Sequence, residues 1–366
     1  MAIAGGNIKL DATEGMDMIT QTEKVTSPYF SNGSATLAAA NIVSSSLTTT
    51  NETYFEGISH NSTPTIEEFN VAFGSVNGYG ASTGSATGKS SPSEVIYKQT
   101  AGLLLGPTEV TGGFKISQGG SAGLVSGRDE EIYVLTARRS NMKDRLNKGT
   151  WTINLTGSLS NGTSGATLLE LTDDSKNQNA TATTAGDRYN IVSGSGGTVV
   201  KEASEKTYGH FYPDMGMLVF SATELSASIP GRAVSKDDVV MFDSGSHFGF
   251  GTGTQANENK KNGLRFVNCL QPNGASMTFR DEEDQLSAQY FCRIRSGHMN
   301  FSNNPTFVSG SMNELRNKKM KGNPNTFITS VQLYNSSGDM VAVGSLSKPL
   351  KKNFSSENTI NVKLTY

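Results

Sequence analysis

Hydrophobic and polar positions alternate most cleanly near residue 366. Ile360, Val362, Leu364 and Tyr366 fall on one side of an extended segment, and Asn361, Lys363 and Thr365 fall on the other. This is the period of two that a strand imposes, and it predicts a strand with the Tyr366 ring packed. Just upstream, Thr326–Tyr334 places Phe327, Val331 and Leu333 on one face. Residues 335–339 are turn formers, and 340–346 answer as a second apolar run, which predicts a hairpin. Further strand signals are IEEFNVAFGSV (66–76), SEVIYKQTAGLLL (93–105), EEIYVLTARR (130–139), WTINLTGSLS (151–160), GLRFVNC (263–269) and AQYFCRIRSG (288–297). Residues 208–225 are dense in apolar side chains and read as core. Trp151, the only tryptophan, is expected to anchor that core. Residues 140–149 predict a short helix, with Ser140 as N-cap, Met142 and Leu146 four apart, and Gly149 as the stop.

The expected fold class is mainly β, an antiparallel sandwich-like core with few short helices. Three regions are distinguished. Residues 1–50 carry few large apolar side chains and no sustained period, so they read as an extended N-terminal arm with one short helix over 35–43. Such a segment is ordered only by lying on something else. Residues 51–150 and 205–366 are expected to form the main β domain. Residues 151–204 are the least apolar and hold two strand candidates, ATLLEL and YNIVSG, so they read as an inserted β subdomain or an elaborated loop. No fixed-period repeat is present, which disfavours solenoids and propellers.

Composition sharpens this picture. Only 17% of the residues are charged, and Gly alone contributes 40 of 366 positions. Polarity here comes from Ser, Thr, Asn and Gly, which favour strands and turns. The net charge of −2 offers no general attraction to nucleic acid or to an anionic membrane, and neither is expected as a partner. Cys269 and Cys292 are too few for a disulfide framework and are expected as buried thiols. No basic segment followed by an apolar stretch opens the sequence, so no signal peptide is expected, and no apolar run is long enough to span a bilayer.

The candidate chemistry is thin. GSATGKSSPSE (84–94) contains Gly-Lys-Ser, but three residues separate Gly84 from Gly88 where a phosphate-binding loop needs four. The preceding strand ends too early, and Pro92 disfavours helical geometry at Ser91, so a flexible loop is the reading. The Gly-rich stretches 194–197 and 249–253 lack a βαβ setting. His60, His210, His247 and His298 show no ligand spacing. His210 and Asp214 are read as partners in a turn. Asp281, Glu282, Glu283 and Asp284 form an acidic run without the interleaving of a calcium loop, and a solvated turn is expected. No pair of carboxylates is singled out for glycoside chemistry. The basic stretch 315–321, with Lys348, Lys351 and Lys352 beyond it, reads as a solvated face without interleaved aromatics. No catalytic, cofactor-binding or metal-ligating residue is assigned, no cofactor is expected, and the chain is not expected to be an enzyme.

The hairpin Phe327-Ile-Thr-Ser-Val-Gln-Leu-Tyr, a Gly-containing turn and Met340-Val-Ala-Val-Gly resembles one recurring in phage tail-fibre and baseplate proteins. The wider chain is similar to virion structural proteins of contractile-tailed bacteriophages (myoviruses). The stretches that carry this are 68–80, 93–105, Tyr208-Gly-His-Phe-Tyr-Pro-Asp-Met-Gly, Tyr290-Phe-Cys-Arg-Ile-Arg and Asn300-Phe-Ser-Asn-Asn-Pro-Thr-Phe. Some members carry Ala-Lys where this chain has Gly344-Ser345. The resemblance covers about 54–150 and 205–366, and its motifs are structural rather than catalytic. It implies a virion protein assembled in the host cytoplasm, in the tail baseplate as a wedge-type subunit. Its partners would be other virion proteins, with homo-oligomerisation in a symmetric assembly. The alternatives are a head, neck or decoration protein, or a receptor- or carbohydrate-binding tail protein.

Overall fold

In the computed structural model, the alternating stretches become antiparallel strands. The structure describes residues 8–11, 13, 15–38, 41–45, 55–61, 63–78, 92–106, 113–116, 128–157, 167–225, 229, 259–270, 276–310 and 314–366. In chain order the elements are β1 (Met18–Pro28), β2 (Thr36–Ala38), β3 (Ile42–Ser45), β4 (Phe55–His60), β5 (Thr63–Ser75), α1 (Pro92–Leu104), β6 (Glu131–Ala137), β7 (Arg145–Leu146), β8 (Thr152–Gly157), β9 (Thr167–Asp173), β10 (Thr181–Thr183) and β11 (Gly186–Ser195). They continue with β12 (Thr198–Val199), β13 (Gly209–Tyr212), β14 (Met217–Ser221), α2 (Asn259–Leu270), β15 (Ser276–Thr278), β16 (Arg280–Ile294), β17 (Val308–Ser309), β18 (Glu314–Leu315), β19 (Thr326–Tyr334), β20 (Met340–Lys352) and β21 (Asn358–Thr365). The fold is mainly β with antiparallel sheets, as the alternation predicts.

The chain divides into two compact units. A central unit comprises Val25–Glu283, and a terminal unit comprises Met1–Lys24 with Asp284–Tyr366. This differs from the three regions expected. Residues 151–204 are no insertion, because β8, β9 and β11 lie in the middle of the main sheet. Their low apolar content reflects strands with one polar face rather than a separate subdomain.

The central unit is built on one large, nearly closed sheet, ordered β2-β15-β8-β9-β11-β13-β14-β6-β5-β4-β3, with β10 and β12 paired to β11. Strand alternation sorts its side chains into two cores. From β6, Tyr133, Leu135 and Ala137 enter one, and Ile132 and Val134 enter the other. From β14, Leu218 and Phe220 split from Met217 and Val219 in the same way. The larger core is aromatic, with Tyr29, Phe30, Phe69, Phe73, Trp151, Phe211 and Phe279, and α2 covers it with Phe266, Val267 and Leu270. The smaller core is capped by Tyr97, Ala101, Leu104 and Leu105 of α1. Trp151 is fully buried, as expected of an anchor.

Three local expectations are corrected here. SEVIYKQTAGLLL is helix α1 and not a strand. Its buried positions Ser93, Tyr97, Ala101 and Leu104 recur at helical spacing, and Pro92 occupies the first turn, where a missing N–H costs nothing. GLRFVNC likewise lies inside helix α2. Residues 140–149 form turns and the two-residue strand β7, not a helix. Gly149 has a positive φ of 71° and its N–H donates to Asp173, so it shapes a tight turn rather than stopping a helix.

The expected N-terminal arm is also corrected. β2 pairs β15 and β3 pairs β4 within the main sheet. Tyr29, Phe30, Leu37 and Ile42 are core residues. The described residues at 35–43 hold β2, the start of β3 and a 3-10 position at Asn41, with no α-helical residue among them. Few large apolar residues fall in this stretch, and Tyr29, Phe30, Leu37 and Ile42 among them are buried in the chain's own body, while Met16 and Ile19 are exposed.

In the terminal unit, β21 pairs β16 from Ser287↔Thr365 to Ile294↔Asn358, and β1 pairs β16 on its other side. β19 and β20 form the expected hairpin as a separate two-stranded sheet. Its turn is closed by Asn335 N–H to Asp339 O at 3.0 Å and Asp339 N–H to Asn335 Oδ1 at 2.8 Å. Among the described residues, Cys292, Ile294 and Ile360 are buried in the local core, with Ile328, Val331, Leu333, Leu346, Leu350 and Val362 half-buried against them. Phe327 departs from the expected face. A register shift between Ile328 and Ser330 changes the alternation, so Ile328 turns inward and Phe327 is 59% exposed. Tyr366 exchanges backbone hydrogen bonds with Leu286, but its ring is 67% exposed and is not packed as predicted.

Candidate functional site

The reactive side chains of the central unit are buried and held by local donors. Glu68 lies in β5 and is fully buried. Its carboxylate accepts from Ser31 N–H, Ser31 Oγ and Asn141 Nδ2, while its carbonyl accepts from the Tyr29 hydroxyl at 2.5 Å. Asp129 accepts from Ile116 N–H and Ser221 Oγ at 2.6 Å each. Asp173 receives Gly149 N–H at 2.9 Å on both oxygens, and Asp174 binds Asn190 through its N–H and Nδ2. Burial pushes both of these carboxyls up, which their hydrogen bonds oppose. Such groups stitch loops to strands; their oxygens are already occupied.

The acidic run is corrected from a solvated turn to a strand. Asp281 and Glu282 lie in β16 and are buried. Asp281 accepts from Ser27 Oγ at 2.5 Å, and Glu282 accepts from Asn147 Nδ2 at 2.5 Å with the Arg145 guanidinium 3.5 Å away. Glu283 pairs with Lys143 at 2.8 Å. Pairing with β7 at Asp281↔Leu146 and Glu282↔Arg145 brings these partners alongside, a long-range event invisible in the run itself.

The other candidates do not converge. His60 is in β4, His210 in β13 and His298 in an exposed turn, while His247 lies outside the described residues. Asp214 sits 3.9 Å from Arg145 instead of serving His210. His210 is fully enclosed, and burial, aided by the nearby Arg188, pushes its pKa down to about 3. Residues 79–91 and 249–253 lie outside the described residues. α1 begins at Pro92, so a helix does follow GSATGKSS, contrary to expectation; but β5 and β6, which flank it, pair antiparallel and give no βαβ unit. At 194–197 the glycine N–H groups are engaged: Gly196 donates to Thr152 Oγ1 and Gly197 to Thr172 Oγ1, each at 2.8 Å. A Cβ on Gly197 would meet the Gly149 carbonyl at 2.4 Å, so this glycine serves a close backbone approach. Cys269 and Cys292 are buried thiols outside any disulfide, as expected. Among the described residues no group of three His, Cys, Asp or Glu side chains is placed to hold a metal.

The terminal unit is of a different character. Among the described residues, eleven of the sixteen exposed large hydrophobics are there, although it is the smaller unit. Five of them are on the β19–β20 hairpin, where Tyr334, Met340, Val341 and Val343 stand exposed near the turn and Phe327 at the foot. Phe354 is exposed just beyond the foot. The terminal unit carries twelve Lys and Arg against eight Asp and Glu, and the central unit nineteen against twenty-five. Arg316, Lys318, Lys319, Lys321, Lys348 and Lys351 are exposed, and none makes an ion pair among the described residues. Phe354 N–H donates to Asn323 Oδ1 at 3.1 Å, which brings the 316–321 stretch to the hairpin foot beside Lys351. The Phe354 backbone is therefore brought close to the basic stretch through folding and not through sequence order. Lys352 is the exception, a buried lysine whose Nζ donates to Ser296 O, Asn300 Oδ1 and Asn353 O at 2.9, 3.0 and 2.7 Å.

No protein-family model matches this sequence. No curated protein matches it, and no solved structure matches its fold.

Proposed function

We propose that this chain is a structural subunit of a contractile-tailed phage virion, in the tail baseplate as a wedge-type protein, acting by assembly with other virion proteins. The observation that carries the reading is the exposed apolar face of the terminal unit, set over a small core whose described cluster buries Cys292, Ile294 and Ile360. Large apolar side chains left exposed on a small sheet mark a contact surface. The resemblance of the same hairpin to those of tail-fibre and baseplate proteins supports the placement, as does the occupied state of the buried carboxylates. Homo-oligomerisation within the particle's symmetry and assembly in the host cytoplasm belong to the same reading. A head, neck or decoration position, or receptor or carbohydrate binding, would use the same face differently.

Quantitative mass spectrometry of gradient-purified particles and of isolated baseplates tests this. The expected result is the chain at fixed stoichiometry in both. Presence in lysate with absence from purified particles overturns it, and glycan-array binding by the isolated chain would favour the receptor alternative.

A further inference from the structure

β19 reads TFITSVQLY, nine residues without a charge or a proline. Because β19 and β20 form a two-stranded sheet, each strand has one edge outside any ladder among the described residues. The two edges are not equivalent. β20 carries Pro349, Lys348 and Lys351, and it holds the extra residues at both register shifts. These are the devices that discourage a further strand from pairing. β19 has no proline and no charge, and it leaves only Thr329 out of the pairing. Its side chains are β-branched, aromatic or small and polar, which suits a pleated surface.

The cations have a matching asymmetry. Arg316, Lys318, Lys319 and Lys321 lie on the segment that leads into the foot of β19, and Lys348 and Lys351 lie on β20, while the apolar residues Tyr334, Met340, Val341 and Val343 lie at the turn. A nine-residue strand spans roughly 30 Å, so one extended polypeptide would reach both. A polynucleotide would engage the basic foot but has no use for an open backbone edge or for the apolar turn.

We propose that the open edge of β19 and the basic foot beside it form one docking surface for an extended, acid-flanked segment of another polypeptide, which adds to β19 as a third strand. Main-chain hydrogen bonds supply affinity in this mode, and the charge match supplies orientation and rate. This deepens the assembly reading, on which it rests for the partner being a virion protein.

The test uses the full chain and fluorescence anisotropy. The probe is a labelled peptide of about ten alternating Thr and Val residues with an Asp cluster at one end or the other. Binding is expected for one of the two polarities. The triple variant Lys318→Glu, Lys319→Glu, Lys321→Glu should weaken it about tenfold, and so should raising the salt to about 0.5 M. All three side chains are exposed, and circular dichroism confirms that the variant folds. N-methylation of alternate peptide amides should also weaken binding about tenfold, because it removes the ladder donors. The proposal fails if neither polarity binds, if the triple variant or the N-methylated peptide binds unchanged, or if an oligothymidylate displaces the peptide. It fails too if sedimentation shows a β19-dependent dimer that excludes the peptide. None of these results bears on particle composition, so failure here and failure of the virion reading are separate outcomes.

Discussion

Trp151 lies flat on Phe279, with ring centroids 5.5 Å apart and planes 4° from parallel, while Phe211 meets the indole edge-on at 5.4 Å. The three rings come from the start of β8, the β15–β16 junction and β13, so the stack ties distant parts of the central sheet together.

Trp151→Ala should therefore destabilise the central unit by about 3–5 kcal/mol, and Trp151→Phe by much less, because the stack survives. Urea titration followed by circular dichroism measures the difference. As the only tryptophan, Trp151 should also emit as a buried indole resistant to acrylamide, and a red-shifted, freely quenched emission would contradict its placement.

His210 gives a pH signature. In the unfolded chain it takes a proton near 6.5, while in the fold it stays neutral until about pH 3. Between these values the unfolded state binds more protons, so this group's contribution to stability falls as pH drops from 6.5 toward 3. At pH 4.5 the loss relative to neutral pH is about 2–3 kcal/mol. The raised carboxyls of Asp173 and Asp174 act in the opposite sense, gaining protons in the fold first. The urea midpoint of His210→Gln, compared with the parent at pH 7 and 4.5, isolates the histidine: the variant should lose less on acidification.

Glu68→Ala should cost about 3 kcal/mol, because Ser31 and Asn141 lose a shared charged acceptor inside the protein. The substitution should also loosen the Tyr29–Phe30 entry to the core. Hydrogen exchange at Ser31 is the readout, and unchanged protection there would show that the carboxylate does not hold the segment.

Lys352→Met should destabilise the terminal unit by about 2–4 kcal/mol, since three acceptors lose one donor. Tyr366→Ala, by contrast, should stay within about 0.5 kcal/mol, because the ring is exposed and only the backbone is paired. Thermal melts of both variants give the ranking. A costly Tyr366→Ala would restore the packed ring that alternation alone predicts.

Period-two alternation was enough to place β5, β6, β8, β19, β20 and β21, and it made the chain mainly β. The two helices were also written in the sequence, at 93, 97, 101 and 104 and at 263, 266, 267 and 270. Aromatic and β-branched density masked that spacing, since short apolar runs suit both periods. The exposed apolar face of the hairpin was half legible. Uncharged β19 stands in the sequence, but Phe327 was assigned to the wrong side because a register shift belongs to the pairing of two strands.

Local pattern thus determined which segments extend and which side chains are apolar. Tertiary structure alone decided that Tyr29 and Phe30 enter the core, that Asp281 and Glu282 are buried beside Ser27, Asn147 and Arg145, and that Phe354 stands beside the basic stretch. The reason is physical. Alternation is a property of neighbours along the chain, whereas burial, charge compensation and open strand edges depend on residues that pairing brings together from far apart.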